Sequence, residues 1–260
     1  MGHTRLGEPY KTRRWRDVVP LLKEGPDAEQ VAAKTLAATE NGFREAAHDL
    51  GFKHTVWLLT RVTLAAREPD FSGELGKIGI EAPSDPGLFD VLGGFTKAVD
   101  SYLDRQKSRT DISEMCQLAA VETLSQKCFE RSRTLFGTTP YDVQNAIKEL
   151  STQKNFALFA RDFFGRFAYR YLNYFLSREV PKHVGPKGGF ADIDHHTSFD
   201  EALALHCRQS AEIVREFAGG WYSKTAYETG ITEQDAGAFA FVALKKLASE
   251  FKREARGHEA

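Results

Sequence analysis

Carboxylate and imidazole side chains are concentrated between residues 192 and 206. Such side chains are the ligands that divalent transition metals select in proteins, so this segment is a candidate metal site. Its spacing does not match the H-E-x-x-H motif, the EF-hand loop or the zinc-finger pattern. The alternative is a group of solvated side chains near the start of a helix, because Asp is a preferred helix cap. The candidate ligands are Asp192, Asp194, His195, His196 and His206.

A second pair of candidate ligands, His48 and Asp49, stands in the segment Ala-His-Asp-Leu-Gly that ends at Gly51. The segment resembles the His-Asp-Ile/Leu-Gly signature of the HD metal-dependent phosphohydrolases. That resemblance implies an all-helical hydrolase in which the adjacent His48 and Asp49 bind the metal. Considered without the resemblance, Gly51 is a glycine that ends a helix, and a histidine is favourable in the last turn of that helix.

A third candidate is a basic and aromatic segment, in which seven Lys/Arg and two Asp/Glu lie between residues 154 and 187. Cations interleaved with rings are typical of grooves that hold single-stranded nucleic acid. The alternative is a core helix with one polar edge, because most of the rings fall outside the stripe that carries the cations. The cations of this edge that we consider for nucleic-acid or partner binding are Arg166, Arg170, Lys182 and Lys187.

Residues 1–26 form a predicted basic arm, with six Lys/Arg against three Asp/Glu. Its candidate contacts to nucleic acid or to a partner are Arg13, Arg14 and Arg16. Trp221 and Tyr222 follow two glycines and are interpreted either as a plug of the core or as an anchor for a partner, since Trp and Tyr are frequent at binding hot spots.

These residues are positioned by helices. Asp27, Asp111, Thr139, Ser198 and Thr232 each precede apolar residues at three- and four-residue spacing, which is the pattern of a capped helix with one buried face. We find no strand-like alternation, and the fold class is therefore all-α. The predicted fold is a single domain over 27–260 of eight or nine helices around a buried central helix at about 154–179. A sub-boundary is possible near 135–139. The predicted helices are 28–49, 53–67, 86–107, 112–134, 139–150, 154–179, 199–217 and 233–254.

Composition narrows the class of protein. The chain has 35 Lys and Arg against 36 Asp and Glu, so its overall charge favours neither nucleic acid nor membrane as a partner. Three cysteines without a C-x-x-C motif predict buried, reduced thiols, and no apolar stretch reaches the ~18 residues of a membrane span. We expect a cytoplasmic protein without a membrane partner and without a cofactor, unless one of the candidate segments binds a divalent metal.

Three functions remain open. Because no complete catalytic constellation is recognisable, we favour a non-enzymatic helical subunit that binds another protein or a second copy of itself. This hypothesis expects an exposed apolar patch. The alternative is a nucleic-acid-binding helical module in which the basic arm and the basic edge share one face. The third is a metal-dependent, HD-like hydrolase, which requires at least three of the candidate ligands to converge.

Overall fold

The computed structural model describes residues 3–7, 9–39, 42–132, 138–186 and 188–257. The described residues form one compact all-helical domain without strands, as the sequence predicts. The α-helices are α1 (Val18–Lys23), α2 (Ala28–Ala38), α3 (Gly42–His48), α4 (Leu50–Ala65), α5 (Phe71–Lys77), α6 (Leu88–Gln106), α7 (Asp111–Ser132), α8 (Pro140–Glu149), α9 (Gln153–Leu176), α10 (Ile193–Ser210), α11 (Glu212–Glu228) and α12 (Glu233–Gly257).

Twelve helices in the described residues exceed the eight or nine predicted. One reason is that the predicted helix 28–49 is two helices, α2 and α3. Another is that the predicted helix 199–217 covers the end of α10 and the start of α11, and α1 and α5 are short additional helices. The start predicted at Ser198 also lies inside α10, because Asp192 caps that helix by accepting from the backbone N–H of His195 at 2.9 Å. The predicted cap at Asp111 is wrong, because Asp111 is the first residue of α7 and Thr110 caps that helix by accepting from the N–H of Ser113 at 2.9 Å. The caps predicted at Asp27 and Thr139 are confirmed. Asp27 accepts from the N–H of Gln30 at 2.9 Å, and Thr139 forms a reciprocal cap with Asp142.

The core is built around rings. Helix α9 packs against α7, α10 and α11 along its length and against α2 on another side. The ring of Phe52 on α4 lies 4.7 Å from that of Phe167 on α9, edge to face, which is a favourable geometry for two aromatic rings. Phe43 on α3 contacts both Phe167 and Tyr171 of α9, so α3 is anchored on the same aromatic surface.

The predicted basic arm contributes to this core. Trp15, Val18 and Leu22 are buried, and the ring of Trp15 packs against Phe175 near the end of α9. The predicted sub-boundary near 135–139 lies mostly outside the described residues. The three cysteines are free and buried, which agrees with the prediction. Among the helices that the structure describes, we find no segment with the length and hydropathy needed to cross a membrane.

The segment after α9 is tied to the core. A short 3₁₀ helix at Val180–His183 follows α9, and the backbone N–H of Phe190 donates to the carbonyl of His183 at 3.1 Å. Phe190 is buried and packs edge to face against Phe199 of α10. The segment is therefore a packed strap between α9 and α10.

Candidate functional groove

A groove of about 620 Å³ opens between α12 on one side and the end of α2 with α3 on the other. Helix α12 contacts both α2 and α3, and these contacts form the floor of the groove. The volume falls in the range of clefts that bind ligands or partner side chains. Among the residues that the structure describes, twelve line it: Arg14, Leu36, Ala37, Phe43, Arg44, Ala47, Phe241, Leu244, Lys245, Ala248, Ser249 and Lys252.

The α12 side of the groove is one regular stripe. Phe241, Leu244, Lys245, Ala248, Ser249 and Lys252 follow each other at alternating steps of three and one residues, which places them on one helix face. At 1.5 Å per residue, the stripe extends for about 16 Å, or three turns. Leu244 is buried at its base, whereas the ring of Phe241 is 40% exposed at its edge.

The lining is apolar at the floor and basic at the rim. Seven of the twelve lining residues are apolar, four are Arg or Lys, and one is Ser249. None is a carboxylate. Arg44, Lys245 and Lys252 are exposed, and no carboxylate of the described residues lies within ion-pair distance of them. The apolar floor and the basic rim are the main chemical features of this surface.

A second cleft of about 530 Å³ adjoins the groove at Arg14, which lines both. It is lined by Arg13 of the predicted basic arm, by Glu45 of α3 and by Phe175 of α9, among others. Arg13, Arg14 and Arg16 are all exposed. The presence of Glu45 gives this second cleft a mixed charge, unlike the groove.

Among the described residues near the start of α10, no three candidate metal ligands converge on one point. Asp192 and His195 are bonded to each other, with Asp192 Oδ1 2.7 Å from His195 Nδ1, and both side chains are mostly exposed. Asp194 is also exposed, and the ring of His196 packs edge to face on Phe190. These contacts are those of a helix cap and its surroundings.

His206 lies in a different environment from the other histidines of α10. Eleven residues separate it from His195, which is about 16 Å along the helix axis. It is buried, with Nδ1 3.8 Å from Glu29 of α2 and Nε2 3.5 Å from Glu254 of α12. His206 therefore joins three helices and does not meet the ligands at residues 192–196.

His48 and Asp49 end α3 and cap α4, respectively. Asp49 accepts from the N–H of Phe52 at 2.7 Å and from the hydroxyl of Thr110 at 2.7 Å. Burial raises the pKa of Asp49 in spite of these hydrogen bonds. His48 is exposed, and its ring lies 6.0 Å from that of Phe241 at the groove. Gly51 is inside α4 and does not end a helix, which corrects the sequence interpretation.

Within the described part of the chain, three possible ligand atoms come together only at His3, Asp111 and Glu114, which belong to neither predicted set. Hydrogen bonds already occupy this group. The two ring nitrogens of His3 face two different carboxylates, and Asp111 also accepts from the hydroxyl of Tyr174 at 2.7 Å. The cluster fastens the start of the chain to α7, and the convergence that the hydrolase hypothesis requires is not found at the predicted ligands.

The predicted basic edge is partly paired, by one carboxylate of α7 and by one in the segment after α9. Arg166 and Arg170 both pair with Glu122, at 3.3 and 2.7 Å, and Arg166 also donates to Gln126. Lys182 pairs with Glu179 at 2.8 Å. Lys187 lies outside the described residues. Arg166 and Arg170 share the single carboxylate of Glu122, so this edge keeps part of its positive charge while making the contacts of a core helix with a polar edge.

Trp221 and Tyr222 are inside α11, not between two helices as the sequence interpretation had them. The ring of Tyr222 is fully buried, stacks on Phe156 at 3.9 Å, and its hydroxyl lies 2.8 Å from that of Thr63. Trp221 is half-buried and stacks on Phe239 at 4.1 Å. Both rings pack in the protein core, and Tyr222 has no surface to present to a partner.

Sequence reasoning missed the groove, although it placed α12 correctly. The signal available was the apolar and basic stripe of α12, in which Phe241 is followed by two lysines on the same face at positions 245 and 252. The opposite wall comes from residues about 200 positions earlier, which periodicity does not relate to α12. Comparison of the chain with family models, curated proteins and solved structures gives no match.

Proposed function

We propose that this protein is a non-enzymatic interaction subunit of a multi-protein assembly in the cytoplasm, and that it binds a partner protein in the α12 groove. The observation that carries the proposal is an open cleft of about 620 Å³ with an apolar floor. A cleft with an apolar lining and a few polar groups is typical of binding sites.

The groove is rigid enough to serve as a preformed site. Phe43 on its floor packs on Phe167 and Tyr171 of α9, and α12 is held to α3 through the contact between Phe43 and Phe251. In this proposal α9 is the central support of the binding surface. A site whose walls are fixed before binding loses little conformational entropy when the partner arrives.

Photo-crosslinking tests the proposal directly. A benzophenone amino acid in place of Ser249, which is exposed in the groove, should give a protein adduct in the host cell. The same probe in place of Tyr227, which is 92% exposed on α11, is the control. The adduct would be identified by mass spectrometry, and the identified protein would then be purified and titrated against the wild-type chain.

The titration uses a matched pair of variants. F241S removes the exposed ring at the groove, and F89S removes a ring that is 88% exposed at the start of α6, outside the groove. We expect about tenfold weaker binding for F241S, from the loss of about 1.5 kcal/mol of apolar contact, and no change for F89S. Equal effects of the two variants, or identical adducts from both probe positions, would show that the groove is not the binding site.

A further inference from the structure

The shape of the groove restricts the backbone of its occupant. Its walls are helices, whose main-chain groups are already hydrogen-bonded within each helix. The lining side chains include seven apolar residues and no carboxylate that could accept hydrogen bonds. The Arg and Lys side chains could donate to the C=O groups of an extended peptide, but its N–H groups would find few acceptors among the described lining residues. A helix satisfies its backbone internally, and so fits an apolar groove between helices.

The dimensions also suit a helix. The α12 stripe extends for about 16 Å, which equals three turns of a partner helix. Small side chains from both walls, Ala37, Ala47 and Ala248, leave room for large apolar side chains of the partner. Such a partner would insert residues spaced at i, i+3, i+4 and i+7 from one face.

The charge of the rim restricts the chemistry of the occupant. The chain as a whole is almost neutral, with 35 basic and 36 acidic side chains, so the basic rim is a local feature. Lys245 and Lys252 are seven residues apart on one face of α12, about 10 Å along its axis, and Arg44 projects from the opposite wall. Carboxylates seven residues apart on a partner helix would match the two lysines, and complementary charge of this kind guides binding and orientation.

We infer that the occupant of the groove is an amphipathic α-helix of a partner protein, and that this helix carries Asp and Glu beside its apolar face. This inference rests on the proposed function. A fatty acid would fill the apolar floor, but its single carboxylate could not pair with both Lys245 and Lys252, which are about 10 Å apart along α12. The phosphates of a nucleic acid would pair with the Arg and Lys side chains of the rim, but a nucleic acid would leave the apolar floor uncovered. The acidic amphipathic helix uses both features of the groove.

Fluorescence anisotropy with three labelled synthetic peptides of about 18 residues tests the inference. The first carries Leu at i, i+3, i+4 and i+7 with Glu at the flanking positions. The second has Lys in place of every Glu. The third has the composition of the first, permuted so that Leu residues do not share a face. We expect the first peptide to bind at least tenfold more tightly than either of the others, with affinity that falls as salt is added.

Charge reversal in the protein provides the second half of the test. The double variant K245E/K252E should bind the acidic peptide about tenfold more weakly and the basic peptide more tightly than the wild-type chain does. Both lysines are exposed and unpaired with described carboxylates, so the fold should be retained. K224E on α11 is the matched control, because Lys224 is exposed and does not line the groove, and it should change neither affinity.

The possible failures are distinct from those of the proposed function. Equal binding of the acidic and basic peptides, or of the acidic peptide and its permuted form, would overturn the inference. Displacement of the acidic peptide by sodium myristate, with no effect of K245E/K252E on the peptide, would also overturn it. If no peptide binds at about 1 mM while the probe at position 249 still captures a protein, the inference fails and the proposed function stands. If that capture also fails, both are wrong.

Discussion

Gly219 of α11 lies directly against the backbone of Gln153, the first residue of α9. A Cβ atom at position 219 would be 2.4 Å from the carbonyl oxygen of Gln153, closer than any real contact. The neighbouring Gly220 faces open space and would meet no atom within 4 Å. The two glycines therefore have different roles within the same helix, and the first sets how closely α11 approaches α9.

We expect G219A to destabilise the protein and G220A not to. The new methyl group at 219 has to displace backbone, which costs about 2 kcal/mol. At 220, alanine removes a flexible glycine from an exposed helix position and should stabilise the protein by up to about 1 kcal/mol. Urea unfolding followed by circular dichroism measures both changes. Equal stabilities of the two variants would contradict the close approach of α11 and α9.

Asp162 of α9 is a buried carboxylate held by three cations. Lys127 Nζ lies 2.7 Å, Arg161 NH2 2.7 Å and Arg208 Nε 3.1 Å from its oxygens. Burial disfavours the ionised form, but hydrogen bonds and charges from Lys127 and Arg161 outweigh it and hold the pKa of Asp162 below 3.8. The network connects α7, α9 and α10.

D162N should reduce the free energy of unfolding at pH 7 by about 3 kcal/mol, because it leaves the buried Lys127 without its main partner. Because the pKa is lowered in the folded state, the contribution of Asp162 is present above pH 3.8 and is lost as the pH falls through the folded value. The difference between wild type and D162N in urea unfolding should therefore shrink at low pH. E81Q, which removes an exposed pair with Lys97, should change little at either pH, and a difference between wild type and D162N that does not vary with pH would contradict the prediction.

His54 is buried beneath Tyr102, with the two rings stacked at 3.8 Å, and its Nδ1 lies 3.0 Å from Glu233 of α12. Burial lowers the pKa of His54 from 6.5, and Glu233 opposes this effect. The folded state therefore binds a proton less readily than the unfolded state does. The contribution of His54 to the free energy of unfolding is therefore present above pH 6.5 and is lost as the pH falls towards the pKa of His54 in the folded state.

We expect H54F, which keeps a ring against Tyr102, to weaken the loss of stability between pH 7.5 and pH 5.5. E233Q should make the loss of stability between these pH values larger, because removing the carboxylate lowers the pKa of His54 further below 6.5. The measurement is the urea concentration at the unfolding midpoint of each variant and of the wild-type chain at the two pH values. A shallower pH dependence for E233Q than for wild type would show that Glu233 does not act on His54.

Local chemistry explains which features were predictable. The starts of α2, α8 and α12 depend on a capping side chain within three residues, and Asp27, Thr139 and Thr232 are such residues. The start of α10 was misplaced because Ser198 and Asp192 both have capping chemistry, and only packing of the preceding strap selected Asp192. The sequence did not distinguish a metal site from a helix cap at Asp49 or Asp192, because a carboxylate at the start of a helix can serve either role.

The sequence by itself determined the all-helical fold class, the capped starts of α2, α8 and α12 and the burial of the three cysteines, because hydrophobic periodicity and capping act over a few residues. Tertiary structure alone decided which polar residues meet. Arg166 and Arg170 pair with Glu122 more than 40 positions away, and Gly219 serves a contact with Gln153. The described part of the groove is assembled from residues 14, 36–37, 43–47 and 241–252, and only the packing of α12 on α2 and α3 brings its apolar floor and basic rim together.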